Sequence, residues 1–186
     1  MPGRWRTPFA SSEAVHQKMS TLARRDTAPE LALRRVLYRR GLRYRVHRRP
    51  LPDLARQADI VFTGAKVAVF VDGCFWHGCP EHGRREHRTN GWYWPNKIAA
   101  NKDRDRDTDE RLIAAGWTPV RVWEHEDPQE AADRVADTVR QEVTANTKTR
   151  ASGTSLLAGA TSRRFSSRIV RASPIRIPRM SQVSRK

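Results

Sequence analysis

The spacing of apolar and polar positions changes along the chain, and each change marks an element. Residues 11–24 read as a short helix. Thr27, Ala28, Pro29 and Glu30 form a capping box, a hydroxyl at the N-cap with a carboxylate three positions on and a proline in the first turn, which opens a second helix. Leu31, Leu33, Val36, Leu37 and Tyr38 supply its apolar positions, and Gly41 ends it. The period then drops to two. Over residues 42–47 Leu, Tyr and Val alternate with Arg and His, the pattern of a half-buried strand. Residues 58–62 and 66–71 are two further β-rich runs, joined by Thr63, Gly64 and Ala65 as in a hairpin. Val67 to Val71 is apolar without a break, which predicts a central strand covered on both faces.

A loop rich in Gly, Cys, Pro and His follows, and then a helix over residues 94–115, stopped by Gly116 and strongly charged in its middle. Residues 117–124 return to strand, and Asp127, Pro128, Gln129 and Glu130 cap a last helix in which Val135, Val139 and Val143 recur every four positions. Helix, helix, strands, helix, strand, helix describes a mixed central sheet flanked by helices, an α/β or layered α+β fold.

Composition adds a partner and a boundary. The chain has 186 residues with 36 Lys and Arg against 20 acids, a formal charge of +16 that calls for a polyanion such as nucleic acid. Residues 148–186 hold ten of those cations, no acid and many Ser, Gly, Pro and Thr, a composition that does not fold alone. Removing them leaves +6 for residues 1–147, the expected domain, whose densest basic run lies between Arg34 and Arg49. That run is either a solvated face or a phosphate-binding one, and the net charge favours the second. No run reaches the ~18 apolar residues of a membrane span and none follows Arg4 and Arg6 as in a secretory signal, so a cytoplasmic location is expected.

Cys74, Cys79 and His82 place three soft or borderline ligands within nine positions, and two cysteines beside histidines in a reducing compartment suggest metal rather than a disulfide. His125, just after the last strand, is a candidate fourth ligand, with His87 as the local competitor; two buried free thiols are the plain alternative. Asp59 stands among apolar residues inside a strand, where a carboxylate needs a hard cation or a donor. A hairpin brings it towards Asp72, at the end of the next strand, and two such acids suit magnesium. An arginine partner for Asp59 and turn chemistry for Asp72 are the competing readings. His77 lies among the metal candidates without a clean ligand spacing, free to act as a base near neutral pH, with a zinc ligand or an exposed ring as the plainer alternative. Phe75 and Trp76 beside it fit a wedge that unstacks base pairs, or a lid over the metal cluster.

Taken together, Asp26 to Glu30, then Ala58, Asp59, Ile60, Val61, then Val71 to Pro80 with its Gly, Cys, Phe, Trp, His core, resemble the bacterial very short patch repair (Vsr) endonucleases, and Trp94 to Asp105 and Gly116 to Glu124 continue in the same order. The resemblance implies a restriction-endonuclease-like fold and a strand-specific nick on the 5′ side of the thymine in a T:G mismatch, the lesion left by deamination of 5-methylcytosine. It implies Asp59 and the Val71 carbonyl as magnesium ligands, His77 as the group that activates water, and Glu30 as an acid supporting either the metal and its water or that histidine. Phe75 and Trp76 become the aromatic wedge, with Met19 as an opposing intercalator. Structural zinc is implied at Cys74, Cys79, His82 and His125. His125 stands where better-known members have cysteine, and Asp72 where they have histidine, which makes Asp72 a candidate extra magnesium ligand. The expected partner is double-stranded DNA, with mismatch-repair proteins as candidates, acted on by a monomer. Two alternatives remain: a related nicking nuclease with another mismatch or sequence preference, and a zinc-stabilised DNA-binding module that does not cut.

Overall fold

In the computed structural model, which describes residues 12–23, 25–83 and 90–157, the elements follow the predicted order. The chain falls into two units, Met1–Arg150 and Ala151–Lys186. Helix α1 (Glu13–Thr21) is followed by α2 (Ala28–Arg39), strands β1 (Arg45–Arg48), β2 (Ala58–Phe62) and β3 (Val67–Asp72), helix α3 (Tyr93–Ala114), strand β4 (Thr118–Trp123) and helix α4 (Pro128–Leu157). The last helix runs past residue 147, where the acid-free composition begins, and residues 158–186 lie outside the described residues. No described helix is long and apolar enough to cross a membrane.

The sheet has the order β1-β2-β3-β4 and is mixed: the first two pairings are antiparallel and β3–β4 is parallel. A parallel pair needs a crossover, and the loop with α3 provides it. Its pleat separates two cores. Ile60, Phe62, Val67, Val69, Val120 and Val122 point to one face and pack against Leu33, Val36 and Leu37 of α2 and Ala131, Ala132, Val135 and Val139 of α4. Val61, Ala68 and Phe70 point to the other, against Leu112 of α3 and Leu54. β3 is therefore covered on both sides, as its unbroken apolar run requires. The fold is the layered α+β, restriction-endonuclease-like one expected from the sequence.

Local chemistry sets the ends of the elements. Both α2 and α3 stop in the same way: Gly41 and Gly116 adopt left-handed φ of 82° and 73°, and the next residue's N–H reaches back to the carbonyls of Leu37 and Leu112. Only glycine takes that conformation freely. Lys66 completes the β2–β3 turn with φ 55°, so β3 begins one residue later than the sequence pattern gives. β1 covers less than the expected 42–47 at its start, because Leu42 and Tyr44 pack onto the core before pairing begins at Arg45. Tyr38 is not an inward position of α2. It is 59% exposed and lies 4.2 Å beneath the Arg43 guanidinium, a cation–π contact.

Candidate active site and metal centre

The end of the β2–β3 hairpin opens into a gap. The backbone ladder between the two strands runs from Phe62–Val67 to Ile60–Val69. One residue further along β2, the Asp59 side chain takes over, and its Oδ2 accepts the Val71 N–H at 2.8 Å. A strand residue's N–H and C=O point to the same side, so the Val71 carbonyl faces the same gap. The two polar groups named from sequence as magnesium ligands are thereby brought together. Burial lifts the Asp59 carboxyl to about 6; the Val71 N–H opposes that rise, nearby Glu30 adds to it, and His47 and Arg34 oppose it. No described residue donates a hydrogen bond to its Oδ1. A half-buried carboxylate with one oxygen unused beside a backbone carbonyl is hard-cation chemistry.

Glu30 stands on the Asp59 side of the site. Its Oε2 accepts from the Asp26 N–H at 3.0 Å and from Arg34 Nη2 at 2.9 Å, and its Oε1 from the Thr27 hydroxyl at 2.9 Å. Neither bond of the expected capping box forms: Glu30 takes the N–H of Asp26, one residue before the N-cap, and the Thr27 hydroxyl donates to Glu30 instead of accepting from the helix. The structure does not bring Glu30 to His77, the second of the two roles considered for it.

His77 has other acids. Its Nδ1 lies 2.6 Å from Asp105 Oδ2, on α3, and 3.6 Å from Asp72 Oδ1. An ionised carboxylate only accepts, so the proton sits on Nδ1 and Nε2 is left as the nitrogen able to take another. Burial works against a charged ring, but Asp105 and Asp72 outweigh it and hold the His77 pKa above its ordinary value. Asp72 itself is buried, and Arg121 Nη1 donates to both of its oxygens at 3.0 and 2.8 Å. The same guanidinium reaches Asp109 at 2.9 and 3.1 Å and the Asp105 carbonyl at 3.2 Å. In place of the proposed extra magnesium ligand, the structure gives Asp72 an arginine partner on the α3 face of the sheet, because adjacent residues of an extended strand point to opposite faces.

After β3 the chain wraps around a cluster of donors. Ligand atoms of Cys74, Cys79, His82 and His125 all lie within 4.8 Å of one another. His125 Nδ1 is 3.0 Å from Cys74 Sγ and 3.8 Å from Cys79 Sγ. A tetrahedral ion with ligands at 2.0–2.3 Å needs edges of about 3.5 Å, so the set fits one. Burial and the neighbouring sulfur push the Cys74 thiol up to about 12, and two sulfurs this close need a cation before both can ionise. Glu81 stands 3.4 Å from the other nitrogen of His125, where it orients the ring. His82 thus joins the cluster; its competitor His87 lies outside the described residues. The wrap itself depends on Gly83, whose N–H bonds the Cys79 carbonyl at 2.8 Å and where a Cβ would stand 2.3 Å from that oxygen. On the opposite side, Glu124 Oε1 accepts the Cys74 N–H at 2.7 Å and Asn101 Nδ2 donates to the Trp76 carbonyl at 2.8 Å.

Phe75 and Trp76 meet edge to face with ring centroids 5.1 Å apart, and both meet Trp94, at 5.0 and 5.9 Å. Tyr93 and Trp92 extend the series, and Trp92 is 55% exposed. Met19 falls within α1, and its side chain lies outside what the structure describes.

The model of the family described as DNA mismatch endonuclease Vsr matches residues 10–82. The chain is 48% identical over 125 residues to the type II nicking enzyme V.NaeI of Lentzea aerocolonigenes, covering 66% of this chain and 75% of that protein. It is 39% identical over 125 residues to the type II nicking enzyme V.XorIIP of Xanthomonas oryzae (64% and 86%), and 35% identical over 116 residues to the DNA mismatch endonuclease Vsr of Escherichia coli (59% and 72%). The chain belongs to the Vsr family. It is a DNA nicking endonuclease.

For this Vsr-family site, sequence patterns did not reveal Asp105, Asp109 and Arg121. A signal was present. Asn101, Asp105, Thr108, Asp109 and Leu112 recur at helical spacing, and Asn101, Thr108 and Leu112 are buried, so this is the inner face of α3 built from polar residues. Trp92 to Trp94 were equally readable as a continuation of the Phe75–Trp76 pair.

Proposed function

We propose that this enzyme cuts one strand of duplex DNA on the 5′ side of the thymine in a T:G mismatch, with magnesium at Asp59 and the Val71 carbonyl and zinc at Cys74, Cys79, His82 and His125. The observation that supports it most is the paired arrangement at the end of β3: Asp59 on the Val71 amide, and His77 against Asp105 and Asp72.

Magnesium, when bound, neutralises phosphate charge and stabilises the oxygen that leaves. The protein's own residues do the rest. Asp59 and the Val71 carbonyl would hold that ion at one side of the β3 terminus. His77 takes a proton at Nε2 from a water aligned with the phosphorus, while Asp105 holds Nδ1–H and stabilises the imidazolium that forms. Arg121 fixes Asp72, Asp105 and Asp109 so that the ring keeps one orientation. Cys74, Cys79, His82 and His125 would hold zinc and so fix the loop that carries His77, Phe75 and Trp76, away from the reacting atoms. The two aromatics enter the duplex where opening costs least, at a mispair.

V.NaeI and V.XorIIP are named as type II nicking enzymes, which favours a second reading: nicking with a different mismatch or flanking-sequence preference. One assay separates the readings. Duplexes with T:G, other mismatches or full pairing are incubated with magnesium or chelator, and the cut is mapped by strand and position. A magnesium-dependent nick 5′ to the mispaired T is expected. Cutting of another mismatch in preference, or of a fully paired site, supports the second reading.

A further inference from the structure

Asp26, Glu30 and His47 offer ligand atoms within 4.8 Å of one another, next to Asp59, and by residue type they would hold a divalent ion. A cation is already there. The Arg34 guanidinium, only 9% exposed, pairs through Nη1 with Asp26 and through Nη2 with Glu30 at 2.9 Å, and Nη2 also lies 3.3 Å from His47 Nε2 and 3.4 Å from the Asp59 carbonyl. It therefore touches every member of the cluster and the backbone of the acid beside it. Glu30 also accepts from the Asp26 N–H on Oε2 and from the Thr27 hydroxyl on Oε1, so both of its oxygens are engaged. A guanidinium cannot lose its charge at any working pH, so the positive charge is permanent.

We infer that Arg34 is a built-in cation that fills the place a second divalent ion would take, so that the free enzyme holds one exchangeable ion, on Asp59 and the Val71 carbonyl. This rests on the Asp59 reading above. Arg34 is then a positioning residue: it gives Glu30 and Asp26 their counter-charge without metal and keeps Glu30 out of the coordination shell of the ion on Asp59. Two-metal phosphoryl-transfer sites hold a pair of ions side by side; here a fixed, fork-shaped donor stands in the second place.

The test counts manganese bound to the DNA-free, zinc-loaded protein by electron paramagnetic resonance and calorimetry. The parent is expected to bind one manganese ion, and Glu30→Gln to bind it within about threefold of the parent's affinity. Arg34→Met, which keeps length and removes charge, is expected to bind two, and Arg34→Lys one. The second ion of Arg34→Met should disappear when Glu30→Gln is added. Arg34 is not a substitute ion if folded Arg34→Met takes no more manganese than the parent, or if Glu30→Gln alone abolishes uptake. Should circular dichroism show Arg34→Met unfolded, Glu30→Gln and Arg34→Lys in the parent decide: loss of the ion in the first, or a second ion in the second, overturns the inference. Failure of the Asp59 reading looks different, since Asp59→Asn would then leave the parent's manganese untouched while the gain in Arg34→Met could still be scored.

Discussion

Asp59→Asn should make the magnesium-free protein more stable and inactive at once. The amide oxygen of Asn still accepts the Val71 N–H, so the hydrogen bond is kept while the buried charge is removed. Burial holds the folded-state Asp59 carboxyl at about 6 against an ordinary 3.8. Between those values the folded chain keeps a proton that the unfolded chain has released, so stability falls as pH rises through that window and the full penalty stands above it. A rise of this size corresponds to about 3 kcal/mol in the neutral range. In a unit of this length that is roughly 6–12 °C in Tm, or roughly 1–2 M in the urea midpoint. Urea unfolding of parent and variant in magnesium-free buffer at pH 7.5 and at pH 4 measures it directly. The variant should be the more stable at pH 7.5 and the two should converge near pH 4. Adding magnesium should then stabilise the parent alone, and nicking by the variant should be undetectable while it still binds a mismatched duplex. A variant no more stable than the parent at pH 7.5, or a gap that persists at pH 4, would show that Asp59 is not held in a costly, cation-seeking environment.

Three further outcomes follow from the same geometry. Asp105→Asn removes the acid that holds the His77 proton on Nδ1, and single-turnover nicking should fall by about 10–100-fold with duplex binding unchanged; a rate within twofold of the parent would remove Asp105 from the site. Gly83→Ala forces a Cβ to within 2.3 Å of the Cys79 carbonyl, so the purified protein should carry clearly less than the parent's zinc by metal analysis, and full occupancy would contradict the tight wrap. Trp94→Ala deletes the ring on which both Phe75 and Trp76 lean, and the ratio of mismatched to matched duplex affinity should drop by about tenfold, the equivalent of 1.4 kcal/mol; an unchanged ratio would mean the wedge needs no support from α3.

How far the sequence could be read depends on which kind of pattern each residue joins. The strands were legible because Val67, Ala68, Val69 and Phe70 are apolar on both faces, and the helix stops because Gly41 and Gly116 need left-handed backbone. Asp59 was visible as a charge inside an apolar run. The α3 face was not. Its inner positions are Asn101, Asp105, Thr108 and Leu112, only one of them apolar, and a count of apolar residues takes such a stretch for a solvated surface. Asp72 shows a second limit. Sequence places an acid at the end of β3 but not its partner, which comes from Arg121, 49 residues later on the parallel neighbour. Glu30 and Thr27 were recognised as a capping box, yet the direction of the Thr27 hydrogen bond and the guanidinium that completes the cluster appear only once α2 is laid against β1.

β3 ends in two neighbours with opposite duties. Val71 turns its side chain to the α2 and α4 core and its amide to Asp59, whereas Asp72 turns to Arg121 and His77. The spine is shared, so gaining or losing one residue near its tip would invert the assignment of every position downstream, sending a carboxylate into the aliphatic core and a valine towards the imidazole. Length in this strand is therefore under tighter constraint than composition. Relatives of such a chain should be intolerant of insertions between Val67 and Cys74, whereas the segment joining β1 to β2 can lengthen without shifting that register.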